Sequence, residues 1–295
     1  MSEAAPVSNF DSADAVAYAG FVSAAYAMSL SNEALLTPTP VGIPAGWTFE
    51  AWITMIDFVA GSVERFYGII CSGNDGTLLV AFRGTDPNLL VEWIEDADCI
   101  AVPFTPVPSA GHVAAGFDKV YSSLRVYPYK SAPPGHALTA ATSPAIAPLA
   151  GAFGDQVQQV VKGRAGFSVT VPPPPHVVTG HSLGAALATL YVFENVSKGR
   201  INDVAITTFA SPRVGNAGFV SAFNALPGLT SWRVVNAPDL VPNVPPDIFG
   251  WRHVDQQFLV NSAGKVQVGL PCAHSLATYV HVIDGTQALD PSCVP

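Results

Sequence analysis

Apolar and polar residues follow two periods along this chain, and the switches between them mark its elements. From Asp11 to Met28, Ala, Val, Tyr and Phe recur at helical spacing through Tyr18, Phe21 and Tyr26. Asn9 and Ser12 are candidate caps, so a helix is predicted here. The proline-rich run from Thr37 to Pro44 predicts a loop. Val63 to Ser72 and Thr77 to Arg83 predict a pair of strands turned by Gly73-Asn74-Asp75-Gly76. Next, Leu89, Leu90, Trp93 and Ile94 share one helical face opposite Glu92, Glu95 and Asp96, a pattern that by itself favours a half-buried connector over a lid. Cys99 to Val102 predicts a strand. Ala114 to Val126 predicts a helix with Phe117, Val120, Tyr121 and Leu124 on one side.

Lys130 to Pro148 is rich in Ala, Pro, Ser and Thr without any period, and reads as a surface insertion in a single domain spanning residues 1–295. Leu149 to Arg164 predicts a helix, and four prolines from Pro172 stiffen the approach to the next strand. That strand, Val177-Val178-Thr179, runs straight into Gly180-His181-Ser182-Leu183-Gly184 and a small-residue helix. Val204 to Ala210, Trp232 to Asn236 and Phe258 to Val260 complete the strands. Strands alternating with helices predict an α/β fold, a mostly parallel sheet with helices on both faces.

Composition narrows the chemistry. Hydrophobic residues make up 49% of the chain and charged ones only 12%, enough apolar surface for a large core. No uninterrupted apolar run reaches membrane-span length, so no integral membrane segment is expected. A net charge of −9 argues against nucleic acid and anionic surfaces. Cys71, Cys99, Cys272 and Cys293 lack metal-ligand spacing, so no metal is expected. Their even number predicts two disulfides, Cys71–Cys99 and Cys272–Cys293, in an extracellular protein. Met1-Ser2-Glu3 opens no basic-then-apolar leader, so a signal peptide is expected to be missing from this chain. Asn195-Val196-Ser197 is a candidate glycosylation triplet.

Gly-x-Ser-x-Gly between a strand and a helix is the pattern of a nucleophile elbow, with Ser182 at its apex. Glycines at 180 and 184 let the strand and helix backbones approach closely. A serine hydroxyl needs a base, and the base needs an orienting acid. With the order Ser, acid, His, the acid belongs at a strand end after Ser182. Asp239 fits, following Trp232 to Asn236, whereas Asp203 comes too early and Asp247 and Asp255 too late. For the base, His274 precedes the last helix and is preferred over His281, which lies within it, and over His253, which reads as structural. Oxyanion donors are expected from the N–H of Leu183 and from Thr85 after Gly84.

Taken together, several stretches resemble the fungal class 3 lipases, the family of filamentous-fungal triacylglycerol lipases and related feruloyl esterases. They are Val80 to Thr85, Glu92 to Asp96, Gly116-Phe117 with Tyr121, Val178 to Gly184, Phe209 to Asn216, Asn236 to Pro242, and His274 with Tyr279. They occur in the family's order over most of the chain. The resemblance implies an α/β-hydrolase fold, a triad of Ser182, Asp239 and His274, an oxyanion hole of Thr85 and Leu183, and a lid around Leu89, Leu90 and Trp93. It departs from the family at Ala185, where a third glycine is usual, in the long insertion, and at His112, which is offset from its usual place.

The expectation is a secreted carboxylic-ester hydrolase without cofactor, a triacylglycerol lipase working at a lipid–water interface. A feruloyl or other bulky-acid esterase is the alternative enzyme. An inactive relative that only binds an apolar ligand is the alternative of another class.

Overall fold

The computed structural model describes residues 10–31, 34–58, 61–85, 98–129, 136–137, 147–164, 175–254 and 256–295. In chain order the elements are α1 (Ser12–Ser31), β1 (Leu35–Thr37), β2 (Trp47–Asp57), β3 (Val63–Gly73), β4 (Leu78–Phe82), β5 (Ala101–Pro103) and β6 (His112–Ala114). Then follow α2 (Ala115–Ser122), β7 (Arg125–Pro128), β8 (His136–Ala137), α3 (Phe153–Gly163), β9 (His176–His181), α4 (Leu183–Ser197), β10 (Val204–Phe209) and β11 (Gly215–Asn216). The chain closes with α5 (Ala217–Asn224), β12 (Leu229–Asn236), β13 (Trp251–Arg252), β14 (Gln257–Val260), α6 (Leu270–His274) and α7 (Leu276–Ile283). Asp11 caps α1, its Oδ1 accepting from the N–H groups of Ala13 at 2.8 Å and Asp14 at 3.1 Å. Ser12 is instead the first helical residue, and Asn9 lies outside the described residues.

Among the described residues the main sheet has eight strands in the order β14-β12-β10-β9-β4-β3-β2-β7. From β4 to β14 the neighbours are parallel, and from β4 to β7 they are antiparallel. Side-chain alternation on β4 explains why this sheet is covered twice. Leu78, Val80 and Phe82 enter the core shared with α2 to α5, and Leu79 and Ala81 enter the core under α1 and α7. The fold is α/β-hydrolase, as expected. No helix among the described residues is long and apolar enough to cross a membrane.

Four readings of the sequence are corrected. The predicted helix through Val126 ends at Ser122, and Val126 lies on β7. β2, eleven residues long, has no counterpart in the pattern reading. Both its faces are apolar, Trp52 on one side and Ile53 on the other, so no alternation betrays it. The Cys71–Cys99 bridge does not form. Cys71 is buried on β3 in the core beneath α1. Cys99 is exposed beside the start of α2, whose Ala115 and Gly116 N–H groups donate to Ile100 and Asp98, and α2 packs on the opposite face. The sheet therefore stands between the two thiols, and burial pushes the Cys71 thiol up to about 12. Cys272 and Cys293 are bonded. Asn195 is fully buried in α4, with its amide donating to Tyr191 O at 2.8 Å, so it cannot accept a glycan.

Candidate active site

Ser182 stands between the last residue of β9 and the first of α4, with φ 58° and ψ −127°. Positive φ is costly for a residue with a Cβ, and it persists here because the surroundings fix the turn. Ser182 N–H donates to Phe209 O on the neighbouring strand end at 2.9 Å, and Ala185 N–H donates to Ser182 O at 2.9 Å. A Cβ on Gly184 would fall on the carbonyls of Phe82 and Arg83, so α4 can cross β4 this closely only with glycine there. Ser182 Oγ is buried and has no hydrogen-bond partner among the described residues, His274 included.

His274 ends the short helix α6, one residue before the cap of α7, and not in an open loop. Its ring centroid lies 4.6 Å from that of His181, which places the imidazole against the elbow. Asp239 follows β12, and its Oδ2 accepts from His274 Nδ1–H at 2.8 Å. The same oxygen accepts from Tyr279 O–H at 2.7 Å, and Oδ1 accepts from Val241 N–H at 3.0 Å. Burial, and then the adjacent Asp239, push the Tyr279 phenol well above its usual range, so it remains a donor. With Nδ1–H given to Asp239, the lone pair of His274 is on Nε2.

Sequence reasoning passed over a second chain of hydrogen bonds. His181 Nε2 is 2.8 Å from His274 O, and a carbonyl only accepts, so Nε2 carries the proton. His181 Nδ1 then accepts from Tyr26 O–H at 2.8 Å, and Tyr26 oxygen accepts from Gly84 N–H at 2.8 Å. Burial, and then His274, hold the His181 pKa well below its usual value, keeping the ring in this neutral tautomer. One relay thus joins α1, the loop after β4, the elbow and His274. Nothing in the sequence marks it, because Tyr26 and His181 meet across 155 positions.

The Gly84-Thr85 loop abuts the elbow, since a Cβ on Gly84 would sit 2.8 Å from Ser182 Cβ. Arg83 braces it: Nη1 donates to Gly84 O at 2.8 Å and Nε to Phe66 O at 3.1 Å, while the guanidinium lies 4.6 Å over the Tyr67 ring. Tyr67 O–H and Thr85 Oγ1 are 3.3 Å apart. Leu183 opens α4, so its N–H has no acceptor within the helix. The predicted lid residues Leu89, Leu90 and Trp93 lie outside the described residues, as does most of the 130–148 insertion.

The remaining candidates lie apart from this constellation. His281 Nδ1 binds Gln287 O at 2.6 Å, and His112 is exposed on β6. No cluster of three or more His, Cys, Asp or Glu with metal-holding geometry occurs among the described residues.

Phospholipase A1-II 3 of Oryza sativa subsp. indica is 29% identical over 292 residues, covering 93% of this chain and 63% of that protein. Phospholipase A1-II 4 of Oryza sativa subsp. japonica is 33% identical over 224 residues, covering 71% of this chain and 51% of that protein. The chain therefore spans less than two thirds of these relatives' length. In fold it is similar to the lipase of Rhizopus microsporus var. chinensis, with TM-score 0.57 and 24% identity over 85% of this chain and 74% of that one. It is likewise similar to the Rhizomucor miehei lipase in its propeptide complex, with TM-score 0.57 and 20% identity over 92% and 78%. The family model described as Lipase (class 3) matches residues 79–249, more than half of the sequence, and the chain belongs to the class 3 lipase family.

Proposed function

We propose that this chain is a serine carboxylic-ester hydrolase acting on acyl glycerolipids through an acyl-enzyme. The observation that carries this reading is the 2.8 Å bond from His274 Nδ1 to Asp239 Oδ2, made by a ring packed against the elbow that holds Ser182. Once substrate draws Ser182 Oγ and His274 Nε2 together, Nε2 takes the hydroxyl proton as Oγ attacks the ester carbonyl. The N–H of Leu183, with the N–H and hydroxyl of Thr85, receives the developing oxyanion. His274 then returns the proton to the leaving alcohol, and a water activated at the same Nε2 releases the acid. Asp239 holds the tautomer and stabilises the imidazolium, and Tyr279 and Val241 hold Asp239.

Triacylglycerol is the substrate implied by the sequence resemblance, while the phospholipase A1 names of the Oryza sativa relatives favour a phospholipid. The Cys272–Cys293 bond supports an extracellular setting. A lid formed by Leu89, Leu90 and Trp93 completes the reading. It predicts a jump in rate once substrate exceeds its solubility, and a smooth saturation curve would count against the lid alone.

Turnover of tributyrin, phosphatidylcholine and methyl ferulate, with S182A as the blank, tests the assignment. Glycerolipid hydrolysis that vanishes in S182A is expected. Preference for methyl ferulate would overturn the glycerolipid assignment, and equal rates in S182A would overturn the mechanism.

A further inference from the structure

The loop that carries Asp239 cannot hold itself together. Leu240 to Pro246 contains prolines at 242, 245 and 246, which have no N–H to donate. The N–H groups of residues 241, 243 and 244 are used locally: Val241 donates to Asp239 Oδ1, Asn243 to Leu240 O and Val244 to Val241 O. The carbonyls of residues 242 to 245 therefore need donors from elsewhere.

Two residues from outside the loop supply them all. Arg213 N–H donates to Val244 O at 2.8 Å. Its guanidinium Nη1 donates to Asn243 O and, at 2.9 Å, to Pro245 O. His253 Nε2–H donates to Pro242 O at 2.8 Å. Arg213 lies between β10 and β11, and β10 is the parallel neighbour of both β9 and β12. The clamp thus ties the acid's loop to the strand end next to the elbow. From there one path leads to the chemistry: loop backbone, Val241 N–H, Asp239 carboxylate, His274 Nδ1.

We propose that Arg213, seconded by His253, is a positioning residue for the reaction, setting the angle at which Asp239 meets His274 by capturing the carbonyls of its loop. This rests on the catalytic reading of Asp239 and His274. The clamp acts only through Asp239, and that separates it from a general structural role.

The experiment is a double-mutant cycle on p-nitrophenyl butyrate, a soluble ester, using R213M (stem kept, donors removed), R213K (one donor nitrogen kept), D239N and R213M/D239N. R213M should lower kcat by about 10- to 100-fold at nearly constant KM, the scale of a small misplacement of catalytic groups. R213K should recover most of it. In the D239N background R213M should change kcat less than about twofold, because the route it supports is already broken. An R213M enzyme with wild-type kcat, or a loss that multiplies in full onto that of D239N, would overturn the proposal. Wild-type kcat in D239N itself would overturn the catalytic reading, and the clamp with it. Should R213M fail to fold, H253L read against H253Q applies the same test at the Pro242 carbonyl: a kcat loss confined to H253L and absent in the D239N background is expected, and its absence overturns the clamp.

Discussion

Tyr26 lies far from Ser182 in sequence, yet its hydroxyl joins two halves of the site, so Y26F is an informative perturbation. The substitution removes one oxygen and two hydrogen bonds of 2.8 Å, to His181 Nδ1 and from Gly84 N–H. The net value of a hydrogen bond is about 1 kcal/mol, but a buried partner left unpaired costs about 1–3 kcal/mol. His181 is enclosed, and its depressed pKa prevents it from answering the loss by taking a proton. Gly84 N–H precedes the proposed oxyanion donor Thr85 by one residue. Tyr26 is only half-buried, so water can relieve part of the loss, and Y26F is expected to destabilise the fold by about 2–3 kcal/mol. Urea unfolding at neutral pH measures this. In the same protein kcat on p-nitrophenyl butyrate should drop about tenfold, because the relay fixes both the loop after β4 and the backbone of His274. Stability within about 0.5 kcal/mol of wild type, together with unchanged kcat, would refute the relay.

Two further outcomes follow from the packing around His274 and the Asp239 loop. Cys272 lies two residues before His274 and closes a loop with Cys293, 21 positions on. In the chain-entropy picture C272A/C293A should lose about 3 kcal/mol of stability by urea titration, and a loss under about 1 kcal/mol would contradict it. His253 is held neutral, its pKa pushed down to about 3 by burial and then by Arg233 and Arg213. Below about pH 6.5 the unfolded chain binds a proton there that the native state refuses, so stability present at neutral pH is lost as the pH falls from that value toward 3. H253Q keeps a donor for Pro242 O but cannot titrate. It should flatten the loss of stability between pH 6 and 4 by about 1.4 kcal/mol per pH unit, and an unchanged slope would contradict a neutral native His253.

The parts of this molecule legible from its residues are those decided locally or by strand order. Val177 to Ala188 spells strand, tight turn and small-residue helix; β9 starts at His176, Ser182 stands at the turn, and α4 starts at Leu183 and runs on to Ser197. Asp239 and His274 could be paired as candidates because parallel strands deliver their following loops to one edge of the sheet, where few acids and histidines compete, and the two side chains meet at 2.8 Å. What stayed hidden depends on contacts between distant segments. β2 is apolar on both faces and has no period to read. β11 and β13 are two residues long, too short to leave a pattern. Cys71 and Cys99 are near in sequence, but a sheet divides them. Tyr26, His181 and Arg213 occupy ordinary helix, motif and loop positions. Their use appears only when α1, the elbow and the proline-rich loop are brought together.

The convergence of Ser182, His274 and Asp239 is tested most directly by mass spectrometry after exposure to an organophosphonate ester. One adduct per chain, mapped to Ser182, forming in step with the loss of esterase activity and abolished in H274A, is the expected result. An active enzyme that acquires no adduct, or one labelled elsewhere while Ser182 stays free, would contradict the assignment.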